Sequence, residues 1–369
     1  MATRSHYFLC VDVGGSKTAA SIASAEGVVL GRGYAGSGNL AEVGATRCFA
    51  RCGSTGPRHR TTPRTIELKR LKQRHLYYNV SGHMGRSCDT AFDEAKIAPT
   101  LSRYFQRDIT PTNDALLLAS QALLTGTQYG LALVAGTGSV ILGLEIPLVC
   151  AEQDGSKGAR KPIVRCRKGG NGHLLGDHGS AYHLGVTAAR IAADDYTMRK
   201  PIDAPLYARL CTHYGVQDPG DLPARIHELD SSLDAIAAGN KRKLLIADSS
   251  ALVLESINPN LDTSASPDAL GLRVVNSCIN TLADDIHDVV DALQHQTSSA
   301  SDRTNNFLAS ASTLATTGGI VARPVFREML VAALGQRGIR FKDTTFIEHA
   351  ADHGAIGLSR AFGRAGAHV

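Results

Sequence analysis

Asp12-Val13-Gly14-Gly15-Ser16-Lys17-Thr18 closes a short β-rich apolar run, 6–13 (HYFLCVDV), and leads into a second strand-like piece at 18–24. A glycine pair between two such runs makes a tight hairpin. Backbone N–H groups in a glycine turn can reach phosphate oxygens without side-chain bulk in the way. Asp12, at the strand end, is then placed to hold a hydrated Mg²⁺, with Gly14, Gly15 and Ser16 on the phosphates. An ordinary hairpin explains the glycines equally well. The spacing is not that of G-x-x-x-x-G-K-[ST], which excludes a P-loop ATPase.

Working outward, the layout recurs. The apolar run 131–135 (LALVA) ends in Gly136-Thr137-Gly138-Ser139 and resumes as a strand at 140–144, and a third glycine turn, Gly318-Gly319, follows 307–317. Asn113-Asp114 follows an expected turn at 108–113 and starts a helix expected over 114–124. Transfer of a phosphoryl group to an alcohol needs a carboxylate within reach of the hydroxyl, and Asp114 supplies one. Its other reading is a helix N-cap. Asp177, in a Gly-rich stretch at 169–185, has the same two readings, a cap for the helix near Ala181 or an acceptor for sugar hydroxyls. Strands are also expected at 28–33, 77–82 and Phe346, and helices at 97–105, 181–193, 205–214, 222–229, 241–254, 267–293, 324–334 and 353–366. The stretch 155–169 is basic and contains glycine, and 294–306 reads as an exposed loop.

DVGGSKT, TNDA (112–115), AGTGS, GGNGHLLGDHGSAYHLG (169–185) and TTGG (316–319), in this order, resemble the N-acetylglucosamine kinases. These belong to the BadF/BadG-type ATPase branch of the actin, hexokinase and heat-shock-ATPase superfamily. The resemblance implies an α/β protein of two ribonuclease-H-like, actin-like ATPase domains flanking an ATP cleft. The first would comprise 1–115 plus 352–369 and the second 116–351, in an enzyme that allows for a homodimer; a cytoplasmic place is expected separately, from the scattered cysteines and the lack of a membrane-length apolar run.

It also implies roles. Asp12, Gly14, Gly15, Ser16 and Thr18 would serve the ATP phosphates and Mg²⁺. Gly136, Thr137 and Gly138 would form a second phosphate clamp, with Gly318 and Gly319 beside adenosine. Asn39, Asn113, Gly170, Asn171, Asp177 and Ala181 would face an amino-sugar, and Asp114 would be the general base. The relatives carry Trp where this chain has Asn171 and an acidic residue where it has His178, which bears on the sugar more than on ATP. Two alternatives stand beside the kinase: an ATPase that activates a partner enzyme, and a sugar or nucleotide sensor without chemistry.

Composition fits this class and excludes others. The 369 residues are 43% hydrophobic and 20% charged, and no run reaches the roughly 18 apolar residues of a membrane span. The net charge of +5 is local: segment 45–75 carries nine Lys/Arg against Glu67, a net of +8, so the remainder is −3. A general nucleic-acid partner is therefore not indicated. That segment shows neither helical nor strand period. It is either an insertion that binds an anion, or an altered reading frame or retained intron; the second is favoured because an insertion normally leaves the replaced strand intact. The eight cysteines are scattered, and only Cys48 and Cys52 are close enough for a local metal clip, with no second pair to complete it.

Overall fold

A computed structural model describes residues 7–13, 17–36, 76–82, 98–99, 109–112, 114–147, 162–258, 266–298 and 306–362. Gly14, Gly15, Ser16, Asn39, Asn113 and the segment 45–75 lie outside them, as does most of the helix expected at 97–105. The chain divides into two compact units. The first comprises Met1–Ala132, Leu144–Val164 and Ile347–Val369, and the second Leu133–Gly143 and Arg165–Phe346.

The first unit is built on β1 (Tyr7–Val13), β2 (Lys17–Ser24), β3 (Val29–Gly36), β4 (Leu76–Gly82) and β5 (Ile109–Thr112). Their order across the sheet is β3-β2-β1-β4-β5. The first three form an antiparallel meander, and β4 and β5 add in parallel on the other side of β1. Phe8, Leu9, Cys10 and Val11 are all at most 3% exposed. A central strand covered on both faces has no polar side, so it reads as a continuous apolar run.

The closing helix α9 (Ala350–Phe362) packs against this sheet. It can come close because Gly354 faces β1: a Cβ there would lie 2.5 Å from Cys10 Sγ and 2.8 Å from Leu117. Asp352 fixes the helix further. Its buried carboxylate accepts from the Ser21 hydroxyl on β2 and from Arg32 on β3, at 2.6 Å to Nη2 and 2.8 Å to Nε. Asp352→Ala would strip both donors of their acceptor, and a loss of about 1–3 kcal/mol is expected, read as a lower denaturant midpoint.

The second unit holds most of the other sheet, from β6 (Tyr129–Ala135), β7 (Ser139–Glu145), β8 (Ile163–Gly169), β9 (Thr313–Thr317) and β10 (Asp343–Phe346). Its order, read from one edge, is β8-β7-β6-β9-β10. That is the order of the first sheet repeated with the strands in the same succession. The helices α2 (Ala181–Thr197), α3 (Pro205–Tyr214), α4 (Leu222–His227), α5 (Ala235–Asp248), α6 (Ser250–Ser256), α7 (Ala269–Ser298) and α8 (Pro324–Gln336) complete it. Among the described residues, no helix is long and apolar enough to cross a membrane.

Several expectations are corrected. The turn at 108–113 is strand β5. Pro111 fits because β5 lies at a sheet edge, where a missing N–H costs little. The basic stretch at 155–169 ends in β8, also an edge strand, whose charges suit an exposed edge. The helix at 114–124 is a 3₁₀ turn, Asp114–Leu118, followed by α1 (Ala119–Thr125). The helix at 241–254 starts earlier, at Ala235, where the Asp234 carboxylate caps the N–H groups of Ile236 and Ala237; a second helix begins at Ser250. α7 runs on to Ser298, into the expected loop. β4 stands between β1 and β5 and is the strand expected over 77–82.

Candidate functional site

In the first unit the parallel strands bring the candidate residues to one edge. Asp12 on β1 is level with Ser81 on β4, and Ser81 is level with Thr112 on β5. At a strand spacing of about 4.8 Å, Asp12 and Thr112 lie about 10 Å apart across the carboxyl ends of these strands. Ligands of open α/β sheets bind outside such ends. Asp12 is half-buried, and Thr18 is fully buried in β2 opposite Val13. Asp114 begins the 3₁₀ turn two residues after β5 ends.

Cys10 lies below this edge. Burial first, and then the charges of Asp12 and Asp352, push its thiol well above the usual range. A thiol in that state is inert at neutral pH. Among the described residues, Cys10, Cys166, Cys211 and Cys278 form no disulfide, and no group of three or more His, Cys, Asp or Glu side chains could hold a metal ion.

In the second unit the turn from β6 to β7 is held from three directions. The N–H groups of Ala181 and Tyr182, at the start of α2, donate to the carbonyls of Gly136 and Thr137 at 2.8 and 3.3 Å. Gly170 N–H donates to the Ser139 carbonyl at 2.8 Å. The Asp177 carboxylate, 4% exposed, accepts from Ser139 N–H at 3.2 Å. The Gly136 N–H closes the turn on the Gly138 carbonyl at 2.9 Å. Among the described residues, the N–H groups of Thr137 and Gly138 have no hydrogen-bond partner.

The third glycine turn meets the same place. Ile320 N–H donates to the Ala135 carbonyl at 3.1 Å, and Gly318 adopts φ +111° beside that carbonyl. Gly136, Thr137, Gly138, Gly170, Asp177, Ala181 and Gly318, widely separated in sequence, are thus brought together. Gly319 follows Gly318 in open space, and Asn171 is exposed beside Gly170.

Asp177 sits in the left-handed region at φ +61°. It is not the cap of α2: Ser180 is, its hydroxyl accepting from His183 N–H at 3.2 Å. Next to it, His178 Nδ1 is 2.7 Å from Asp285 Oδ2, and the ring of His183 is 5.3 Å away. His183 Nδ1 accepts from Gly179 N–H at 2.9 Å. Burial, reinforced by His178, pushes His183 down from 6.5 to about 4.

The folded chain therefore resists a proton that the unfolded chain takes up. This stability is whole above about pH 6.5 and is lost as the pH falls toward 4, up to about 3 kcal/mol. His183→Gln, which can still accept from Gly179, is expected to flatten the fall in denaturant midpoint between those pH values.

Two participants escape a reading of the sequence. Ser139 lies within AGTGS, yet nothing in its neighbours indicates that it anchors the turn. Asp285 does leave a signal: it shares a helical stripe with Leu282 and Val289, both at most 2% exposed. A carboxylate on a buried stripe implies a partner.

No protein-family model matches the chain, and no curated protein matches it. Solved structures match in fold. A proposed N-acetylglucosamine kinase from Porphyromonas gingivalis is 18% identical with a TM-score of 0.58, over 98% of this chain and 100% of that one. A second, from Chromobacterium violaceum, is 18% identical with a TM-score of 0.54, over 96% of this chain and 98% of that one. At that identity the likeness speaks for the fold: an α/β protein of two ribonuclease-H-like units.

Proposed function

We propose that the chain is an ATP-dependent sugar kinase that phosphorylates the 6-hydroxyl of an amino-sugar, with N-acetyl-D-glucosamine the first substrate and glucosamine the second. The observation that carries this reading is the Gly136–Ser139 turn. Its carbonyls are taken up by Ala181, Tyr182 and Gly170, while the N–H groups of Thr137 and Gly138 are left for an acceptor from outside the described residues. A phosphate oxygen is such an acceptor. The fold favours the same class of chemistry without identifying the sugar.

On this reading Gly14, Gly15, Ser16 and Thr18 serve the phosphates from the first hairpin, and Gly318 and Gly319 border the adenosine. Asp12 would hold Mg²⁺, which would supply positive charge against the phosphates. Asn39, Asn113, Gly170, Asn171, Asp177 and Ala181 face the sugar. Asp114 accepts the proton of the sugar 6-hydroxyl as that oxygen bonds to the γ-phosphorus. The bond from the γ-phosphorus to the bridging oxygen breaks, and ADP leaves with the electron pair.

A coupled ADP-release assay with Mg²⁺ tests this. Release is expected to depend on added sugar and to be faster with N-acetylglucosamine than with glucosamine. Release that ignores sugar would assign an ATPase, and sugar binding by calorimetry without ADP release would assign a sensor.

A further inference from the structure

The loop that anchors the turn is itself held by α7. Leu282 packs so closely on Gly179 that a Cβ there would lie 2.6 Å from Leu282 Cδ2. One turn along the same face, buried Asp285 sets its Oδ2 2.7 Å from His178 Nδ1. The His178 carbonyl accepts from the Ser139 hydroxyl at 2.7 Å, beside the bond from Ser139 N–H to Asp177. Ser139 thus hangs on two consecutive loop residues, and the second is tied by its side chain to a long helix.

We propose that Asp285, acting through His178, is a positioning residue for the Gly136–Ser139 turn, an inference that rests on reading that turn as a phosphate holder. A glycine turn offers its N–H groups usefully only if their direction is fixed before the ligand arrives. The carbonyl ends at Gly136 and Thr137 are fixed by α2. The Ser139 end is held by Gly170 at its carbonyl and by residues 177 and 178 at its N–H and hydroxyl, and Asp285 ties the His178 side chain to α7. Lys168, 3.6 Å from Asp285 and 2.7 Å from Asp288, bridges β8 to the same helix and holds the Asp285 carboxylate from its other oxygen.

The test combines two readouts on Asp285→Ala, Asp285→Asn, Ser139→Ala and the Ser139→Ala/Asp285→Ala double variant. Without nucleotide, hydrogen exchange of the 133–143 backbone is expected to rise about tenfold in Asp285→Ala, with helix α8 unchanged. By calorimetry, ADP affinity is expected to fall about fivefold in the same variant, to recover largely in Asp285→Asn, and to be no worse in the double variant than in Ser139→Ala alone. Unchanged exchange in the turn, or additive losses in the double variant, would overturn the proposal. Faster exchange throughout the chain in both Asp285 variants would do so too, by making Asp285 a residue of the fold. Should the wild-type chain bind no ADP, the phosphate reading fails, and the exchange measurement still decides whether Asp285 positions the turn.

Discussion

Asp114→Asn is expected to lower sugar-dependent ADP release by about 10²–10⁴-fold while ADP affinity stays within about twofold. The substitution separates the two roles open to this residue. Asn caps a helix start about as well as Asp, so the local structure after β5 is preserved. Asn cannot take a proton from a hydroxyl, so the chemistry is not. The expectation draws on position: Asp114 begins the 3₁₀ turn beyond Thr112, which is level with Ser81 and, through it, with Asp12 at the end of β1. Turnover retained in Asp114→Asn would exclude it as the base.

Gly318→Ala should act on stability and nucleotide binding at once. Gly318 has φ +111°, where a side chain is strained whatever the space around it. Here there is also no space: a Cβ would fall 2.3 Å from the Ala135 carbonyl oxygen and 2.9 Å from Gly136 N. Those are backbone atoms of β6 and of the turn itself, so relief requires moving the segment that presents the Thr137 and Gly138 N–H groups. Strain and overpacking together are expected to cost about 2–5 kcal/mol. ADP binding should fall at least about tenfold even under conditions where the variant remains folded. A variant with an unchanged denaturant midpoint would show that Gly318 does not pack on the Ala135 carbonyl and the turn after it.

What the sequence made legible follows from how each element is stabilised. β1 and β6 were readable because a strand buried on both faces is apolar throughout and stops at glycines. The edge strands β5 and β8 were not, since an edge tolerates Pro111 in one and a basic surface in the other. The sheet order came only with the structure, because strand pairing between distant segments such as β1 and β4 leaves no local mark. The α/β fold of two ribonuclease-H-like units is as expected from the family resemblance.

The candidate site divides in the same way. The glycine turns stand out because few residues fit them. The contact made by Asp177 does not: its carboxylate holds Ser139 N–H, which neither of its readings included, while Ser180 and not Asp177 caps the helix. His178 and Asp285 are 107 positions apart, and only folding shows that a loop histidine and a helix carboxylate form one tie.

The central claim is that phosphate passes from ATP to a sugar hydroxyl. Phosphorus NMR of the purified chain with ATP, Mg²⁺ and N-acetylglucosamine measures this directly. A sugar 6-phosphate resonance growing in step with ADP is the expected result. Inorganic phosphate appearing in its place, or ATP left intact with sugar present, would contradict it.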